Sequence, residues 1–235
     1  MILVLWDIDR TLVYTGDTDR RVYRELFEEE VGRPAAALPE RGTGVTMPLA
    51  VRELLRVNDV PPGDEEALAE RIVSRMPDRL NEHRDDLLRS GQELPGARET
   101  LRAVHADPDL VPTVVTGNLQ GSAEVKLAAF GLDQFLDLSI GGYASDNAER
   151  AELVSVAQRR AGAKHGRPFG EGTTVIIGDS LEDIRTGRRG GSKVISVASG
   201  TTPAAQLAEA GADAVVSDLT DTKQILGLLK QLASS

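Results

Sequence analysis

The chain has 235 residues, enough for one sizeable core or for a domain that carries a substantial insertion. Its 27 Lys and Arg against 37 Asp and Glu give a formal charge of −10, which leaves no general basic surface for nucleic acid or anionic lipid. The absence of cysteine excludes disulfides, thiolate zinc sites and thiol catalysis, and is compatible with a reducing, cytoplasmic setting.

The chain opens on "MILVLWDIDRTLVYTG", in which Ile2 to Trp6 predicts a buried strand and Asp7 and Asp9 stand where burial is costly unless a cation meets them. The apolar run is far too short for a membrane span and is followed at once by acids, so neither a signal peptide nor a transmembrane segment is expected. Residues 17–92 hold amphipathic helical patterns, such as "DTDRRVYRELFEEEVG", broken by the Gly/Pro-rich "GRPAAALPERGTGVTMP". From there short apolar runs at 112–118, 135–142, 173–179, 193–200 and 213–219 alternate with helical patterns at 97–106, 121–131, 148–162, 180–191, 203–211 and 221–232. Such alternation predicts an α/β fold, a Rossmann-like parallel sheet with helices on both faces. The expected core is 1–16 with 93–235, and 17–92 is an inserted α-helical cap domain.

In open parallel sheets ligands bind outside the carboxyl ends of the strands. The first strand ends in Asp7-Ile8-Asp9-Arg10-Thr11, the 112–118 run in Thr116-Gly117-Asn118, and the 173–179 run leads into Asp179-Ser180-Leu181-Glu182-Asp183. Topology would gather these ends on one rim. Acids packed together repel unless a cation intervenes, and oxygen-only ligands without His or Cys suggest a hard ion, Mg²⁺ first.

"DIDRT", "VVTGN" and "IIGDSLEDI" resemble, in order and spacing, the first, second and fourth motifs of the haloacid dehalogenase-like superfamily, in its phosphoglycolate-phosphatase-like branch. The resemblance covers essentially the whole chain and implies a Mg²⁺-dependent phosphatase for a small phosphate monoester. It implies Asp7 as nucleophile and Asp9 as general acid and then base. Asp7, the main-chain carbonyl of Asp9 and Asp179 would hold Mg²⁺, with Asp183 nearby, directly or through water. Thr116 and the backbone around Gly117 and Asn118 would cradle the phosphoryl group.

The family's third motif, a cation commonly followed by Pro, is missing from "YASDNAERAELVSV". Arg150 is the chosen substitute because it opens the right helix and can bind phosphate bidentately. Lys126 and Lys164 are the alternatives, and both read as surface residues. Arg10 stands where the family commonly has Gly. Within "PERGTGVTMP" (39–48), Arg41 and Thr43 are candidates for contacting the leaving group. The EF-hand, dinucleotide and Walker patterns all fail for want of key residues. His83, His105 and His165 read as solvated, as do the charge runs "EEE" (28–30) and "RDD" (84–86).

The implied partner is a small phosphorylated molecule (phosphoglycolate, a sugar phosphate or a nucleotide), with no nucleic acid or membrane, for a monomer or weak homodimer. A phosphomutase of the beta-phosphoglucomutase type is the close alternative. A 2-haloacid dehalogenase is disfavoured by Asp9 and the Asp179/Asp183 pair, and a non-catalytic phosphate sensor by the presence of every acid the chemistry needs.

Overall fold

The computed structural model describes residues 1–40 and 44–233. Strand β1 (Ile2–Trp6) is the centre of a six-stranded sheet with β4 (Leu110–Thr116), β5 (Gly142–Tyr143), β6 (Thr174–Gly178), β7 (Lys193–Val197) and β8 (Ala214–Val216). The order is β5-β4-β1-β6-β7-β8 and every pairing is parallel. Trp6 lies opposite both Val114 and Ile177, so Asp7, Thr116 and Asp179 emerge within two residues of the same rim. Register alone therefore assembles the three motif ends.

Side chains alternate between two apolar clusters, as a sheet covered on both faces requires. Val4, Trp6, Val175 and Ile177 pack with α5 (Ala97–Ala106), α6 (Gln120–Ala129) and α10 (Thr222–Leu232). Leu3, Leu5 and Ile176 pack on the other face with α7 (Arg150–His165), α8 (Leu181–Gly190) and α9 (Ala204–Glu209). The run 135–142 is not the strand its composition suggests. It folds as 3₁₀ turns at Asp133–Phe135 and Leu138–Ile140, and only Gly142–Tyr143 joins the sheet. The cause is local: Asp137 Oδ1 accepts from the Ser139 N–H at 3.3 Å and Oγ at 2.6 Å, which competes with the ladder.

Between the first and second motifs, β2 (Val13–Tyr14) and β3 (Gln92–Glu93) form a small antiparallel ribbon that the sequence pattern did not reveal. Helices α1 (Thr18–Val31), α2 (Met47–Val57), α3 (Pro62–Glu82) and α4 (Arg84–Ser90) lie between these strands. They share a third cluster, built on residues such as Phe27, Leu54, Ile72 and Leu87, which also takes in Leu119 and Ala144 and packs against Val125 and Ala129 of α6. An ion-pair belt ties α1 to α3 and α4. Glu30 accepts from Arg71 and Arg75, Glu29 from Arg75 and Arg79, and Glu25 from Arg21, Arg79 and His83. Glu29, Glu30 and His83 are thus interhelical partners rather than merely solvated residues.

Burial alone would raise the Glu25 carboxyl, but hydrogen bonds from His83, Arg21 and Arg79 outweigh it and hold the group down at about 2, against 4.5 ordinarily. A depressed carboxyl contributes stability above its unfolded pKa and loses it as pH falls through the folded one. Glu25→Gln should therefore lower the melting temperature at pH 7 and flatten its fall between about pH 4.5 and about pH 2. Thermal melts across that window check this, and parallel curves for the two proteins would contradict it.

Candidate active site

The Asp7 N–H donates to the Ile177 carbonyl at 2.9 Å, so β1 carries its first acid one residue beyond the strand while still tied to β6. The chain then turns, with Leu12 and Val13 donating to the Ile8 carbonyl and Arg10 at φ 63°. That left-handed conformation costs a non-glycine residue roughly 1–2 kcal/mol, which explains why Gly suits the position. Here the turn is braced by Ser199 Oγ donating to the Arg10 carbonyl at 2.6 Å.

Arg150, the first residue of α7, is 4% exposed and reaches three partners. Nη2 donates to Asp7 Oδ1 at 2.6 Å and to Asp183 Oδ1 at 2.7 Å, and Nη1 donates to the Gly44 carbonyl at 2.7 Å. Burial opposes its charge, but Asp183 and Asp7 more than offset this and raise its pKa. Asp183 Oδ2 accepts from the Ser180 N–H and Oγ while Ser180 Oγ caps α8, so both oxygens of this acid are engaged.

Asp179 accepts from Thr11 Oγ1 at 3.2 Å through Oδ1. A Cβ on Gly200 would stand 1.7 Å from its Oδ2, so the carboxylate fits only against a glycine. Oxygen atoms of Asp7, Asp179 and Asp183 lie within 4.8 Å of one another, all buried. Arg150 pairs with two of the three acids, Asp7 and Asp183, and Arg150 and Arg10 act on Asp179 only through their charge. Burial first, and then repulsion between the acids, raises Asp7 well above the usual carboxylate range despite Arg150, and Asp179 to about 7. This all-oxygen donor set fits a hard divalent cation. Among the described residues, Asp7 and Asp179 each engage only Oδ1, which leaves their Oδ2 atoms for it.

Lys126 is not a surface residue. Its side chain is 1% exposed, and its Nζ donates to Asp9 Oδ1 at 2.8 Å, Asp9 Oδ2 at 3.0 Å, Asp19 Oδ2 at 2.8 Å and Asn118 Oδ1 at 2.8 Å. Burial would lower its pKa, but Asp19 and Asp9 outweigh this and raise it. A signal was present in the sequence: Lys126 falls on the buried stripe of α6 with Ser122, Ala123 and Leu127. Lys164, by contrast, is half exposed and pairs with Asp137 at 2.6 Å. Burial, more than Lys126 can offset, raises Asp19, and burial followed by Asp19 and Asp9 raises Tyr23.

The Thr116 hydroxyl accepts from the Asn118 N–H at 3.2 Å and Nδ2 at 2.8 Å, so its lone pairs are used and its proton is available to a ligand. The segment leading into α2 closes over this strand end. Met47 N–H donates to the Gly117 carbonyl at 2.7 Å, and Thr46 Oγ1 to the Ala148 carbonyl at 2.9 Å. Gly44, at φ 70°, approaches so closely that a Cβ there would meet Ser180 Oγ at 2.7 Å. A cavity of about 200 Å³ remains, lined by Asp7, Asp9, Thr116 to Asn118, Lys126, Arg150 and Asp179 on the sheet side and by Asp19, Arg20 and Tyr23 of α1. Arg41 and Thr43 lie outside the described residues. Among the described residues no helix is long and apolar enough to cross a membrane.

The family model of haloacid dehalogenase-like hydrolases matches residues 4–188, and the chain belongs to that family of hydrolases. In fold it is similar to a hydrolase from Pseudomonas syringae at 21% identity and TM-score 0.69, the match covering 97% of this chain and 99% of that one. It is also similar to a protein described as a predicted phosphatase from Clostridium acetobutylicum, at 17% identity and TM-score 0.68 over 96% of this chain and 98% of that one. A third structure, named as a candidate beta-phosphoglucomutase from Bacteroides vulgatus, matches at 17% identity and TM-score 0.67 over 100% of this chain and 91% of that one. These likenesses speak for the fold. No curated protein matches the chain in sequence.

An acid held above its ordinary value stabilises the fold most when protonated. The Asp179 contribution is thus complete below pH 3.8 and lost as pH rises through about 7. A divalent cation competes with that proton, so it should raise the melting temperature more at pH 8 than at pH 5. Asp179→Asn should remove most of the increment. Equal increments at both pH values would contradict the assignment.

Proposed function

We propose that the protein is a Mg²⁺-dependent phosphatase that hydrolyses a small phosphate monoester through an aspartyl-phosphate on Asp7. The observation that carries this reading is the placement of Asp7: buried at the end of β1, gripped by Arg150, and open to a small cavity that also holds Asp9 and the Thr116 hydroxyl.

Thr116 and Arg150 would bind the oxygens of the incoming phosphoryl group and set phosphorus against Asp7. A carboxylate oxygen of Asp7 attacks phosphorus, the bond to the ester oxygen breaks, and that oxygen takes a proton from Asp9. Asp9, now ionised, takes a proton from water as the water oxygen attacks phosphorus. The bond to Asp7 breaks and inorganic phosphate leaves. Asp7, Asp179 and the Asp9 carbonyl, with Asp183 directly or through water, would hold Mg²⁺, which when bound supplies charge neutralisation for the acids and the phosphoryl oxygens. Arg150 keeps the nucleophile in place, because a guanidinium cannot lose its proton in a protein.

Residues 17–92 act in this reading as a cap that excludes water, and the small cavity favours a compact leaving group. Arg41 and Thr43, which precede Gly44, are the proposed contacts for that group.

A phosphate-release screen over small phosphomonoesters tests the proposal. Wild type should release phosphate only with Mg²⁺, Asp7→Asn should release none, and Arg150→Ala should lose about 10²–10³ in kcat/KM. Metal-independent turnover, or full activity of Asp7→Asn, would contradict the mechanism.

A further inference from the structure

We propose that Lys126 is a positioning residue for the acid–base group: it fixes the Asp9 carboxylate and ties it to helix α1 through Asp19. The inference rests on the reading of Asp9 as the group that exchanges a proton with the leaving oxygen.

A lysine ammonium has three N–H donors, and its burial is tolerated only when they are matched. Lys126 finds three acceptor groups, Asp9, Asp19 and Asn118, all at hydrogen-bond distance. Asn118 closes the ring, since its Nδ2 donates to Asp9 Oδ2 at 2.7 Å and to Thr116 Oγ1 at 2.8 Å. Asp9 is thereby held from β4 and α6.

Asp9 has need of such support. Its side chain is 37% exposed, and the next residue turns at φ 63°. Asp19 lies in the first turn of α1 and is itself oriented by Thr15 Oγ1 at 2.9 Å. One nitrogen therefore joins the acid at the end of β1 to the first of the inserted helices, and the seating of α1 sets the direction of the Asp9 carboxylate. Without the ammonium, the Asp9 and Asp19 carboxyls would flank an empty position with no donor between them, and the more exposed Asp9 would swing away.

Lys126 acts on turnover chiefly through Asp9, its contact with Asn118 bearing on both kinds of ester alike, so the difference between esters on removing it follows the leaving group's need for a proton. An alkoxide needs one as its bond to phosphorus breaks; a nitrophenolate departs without it. The test compares kcat/KM, which reports that step, for ethyl phosphate and 4-nitrophenyl phosphate with saturating Mg²⁺. Lys126→Met should lose about a hundredfold on ethyl phosphate and no more than about threefold on the aryl ester, the same split as Asp9→Asn. Lys126→Arg should recover part of the loss. Asp19→Asn, which leaves Lys126 on Asp9, should show the same split at smaller size, and it decides the matter if Lys126→Met does not fold. Equal losses on both esters in a variant that melts like wild type, or no split in Asp19→Asn, would overturn the proposal. If wild type turns over neither these nor any other ester of the phosphomonoester screen, the phosphatase reading falls and this inference with it. If wild type is active and dependent on Asp7 but the split is missing, this inference alone falls.

Discussion

Three carboxylates buried within reach of one another, at the ends of β1 and β6 and in the first turn of α8, would force that rim apart if nothing neutralised them. The Arg150 guanidinium is the constraint on which the arrangement depends. Through one nitrogen it joins Asp7, at the end of β1, to Asp183 in the first turn of α8, and through the other it holds the carbonyl of Gly44 in the segment that enters α2. A lysine offers a single nitrogen and could not span the same three points. Burial, and then the mutual repulsion of the acids, still raises Asp7 and Asp179 above the usual carboxylate range, and such a site fits a divalent cation.

Two buried cations divide the cavity. Arg150 serves the acids that would meet metal and phosphorus, whereas Lys126 serves Asp9 and Asp19 on the side where a leaving group would lie. Both also reach elements of the helical insertion, Arg150 through Gly44 and Lys126 through Asp19. The insertion is thus joined to the sheet at the cavity by charged hydrogen bonds as well as by the β2/β3 ribbon.

Much of this was legible in the sequence. The strand β1 and the helix α5 fall where apolar periodicity puts them, and the three motif ends meet because parallel register leaves little choice. Run 135–142 misled because the Asp137 and Ser139 side chains satisfy local backbone and hydroxyl donors, an interaction that apolar content does not report. Lys126, an alternative for the third-motif cation, was read as a surface residue for a different reason. A lysine is presumed solvated unless its helical phase is checked, and only the pairing with Asp9 and Asp19, over 100 residues away in the chain, makes its burial tolerable. The reach of Arg150 to Gly44 could not be read at all, since it depends on how the insertion folds back over the sheet.

In the proposed reaction Asp7, and not its neighbour Asp9, takes the phosphoryl group. Borohydride quenching of the enzyme during turnover reduces an acyl phosphate to the corresponding alcohol, and peptide mass spectrometry locates it. Homoserine is expected at position 7 when ester and Mg²⁺ are both present, with Asp9 unchanged. Modification at Asp9, or none at either position in an enzyme that is turning over, would contradict it.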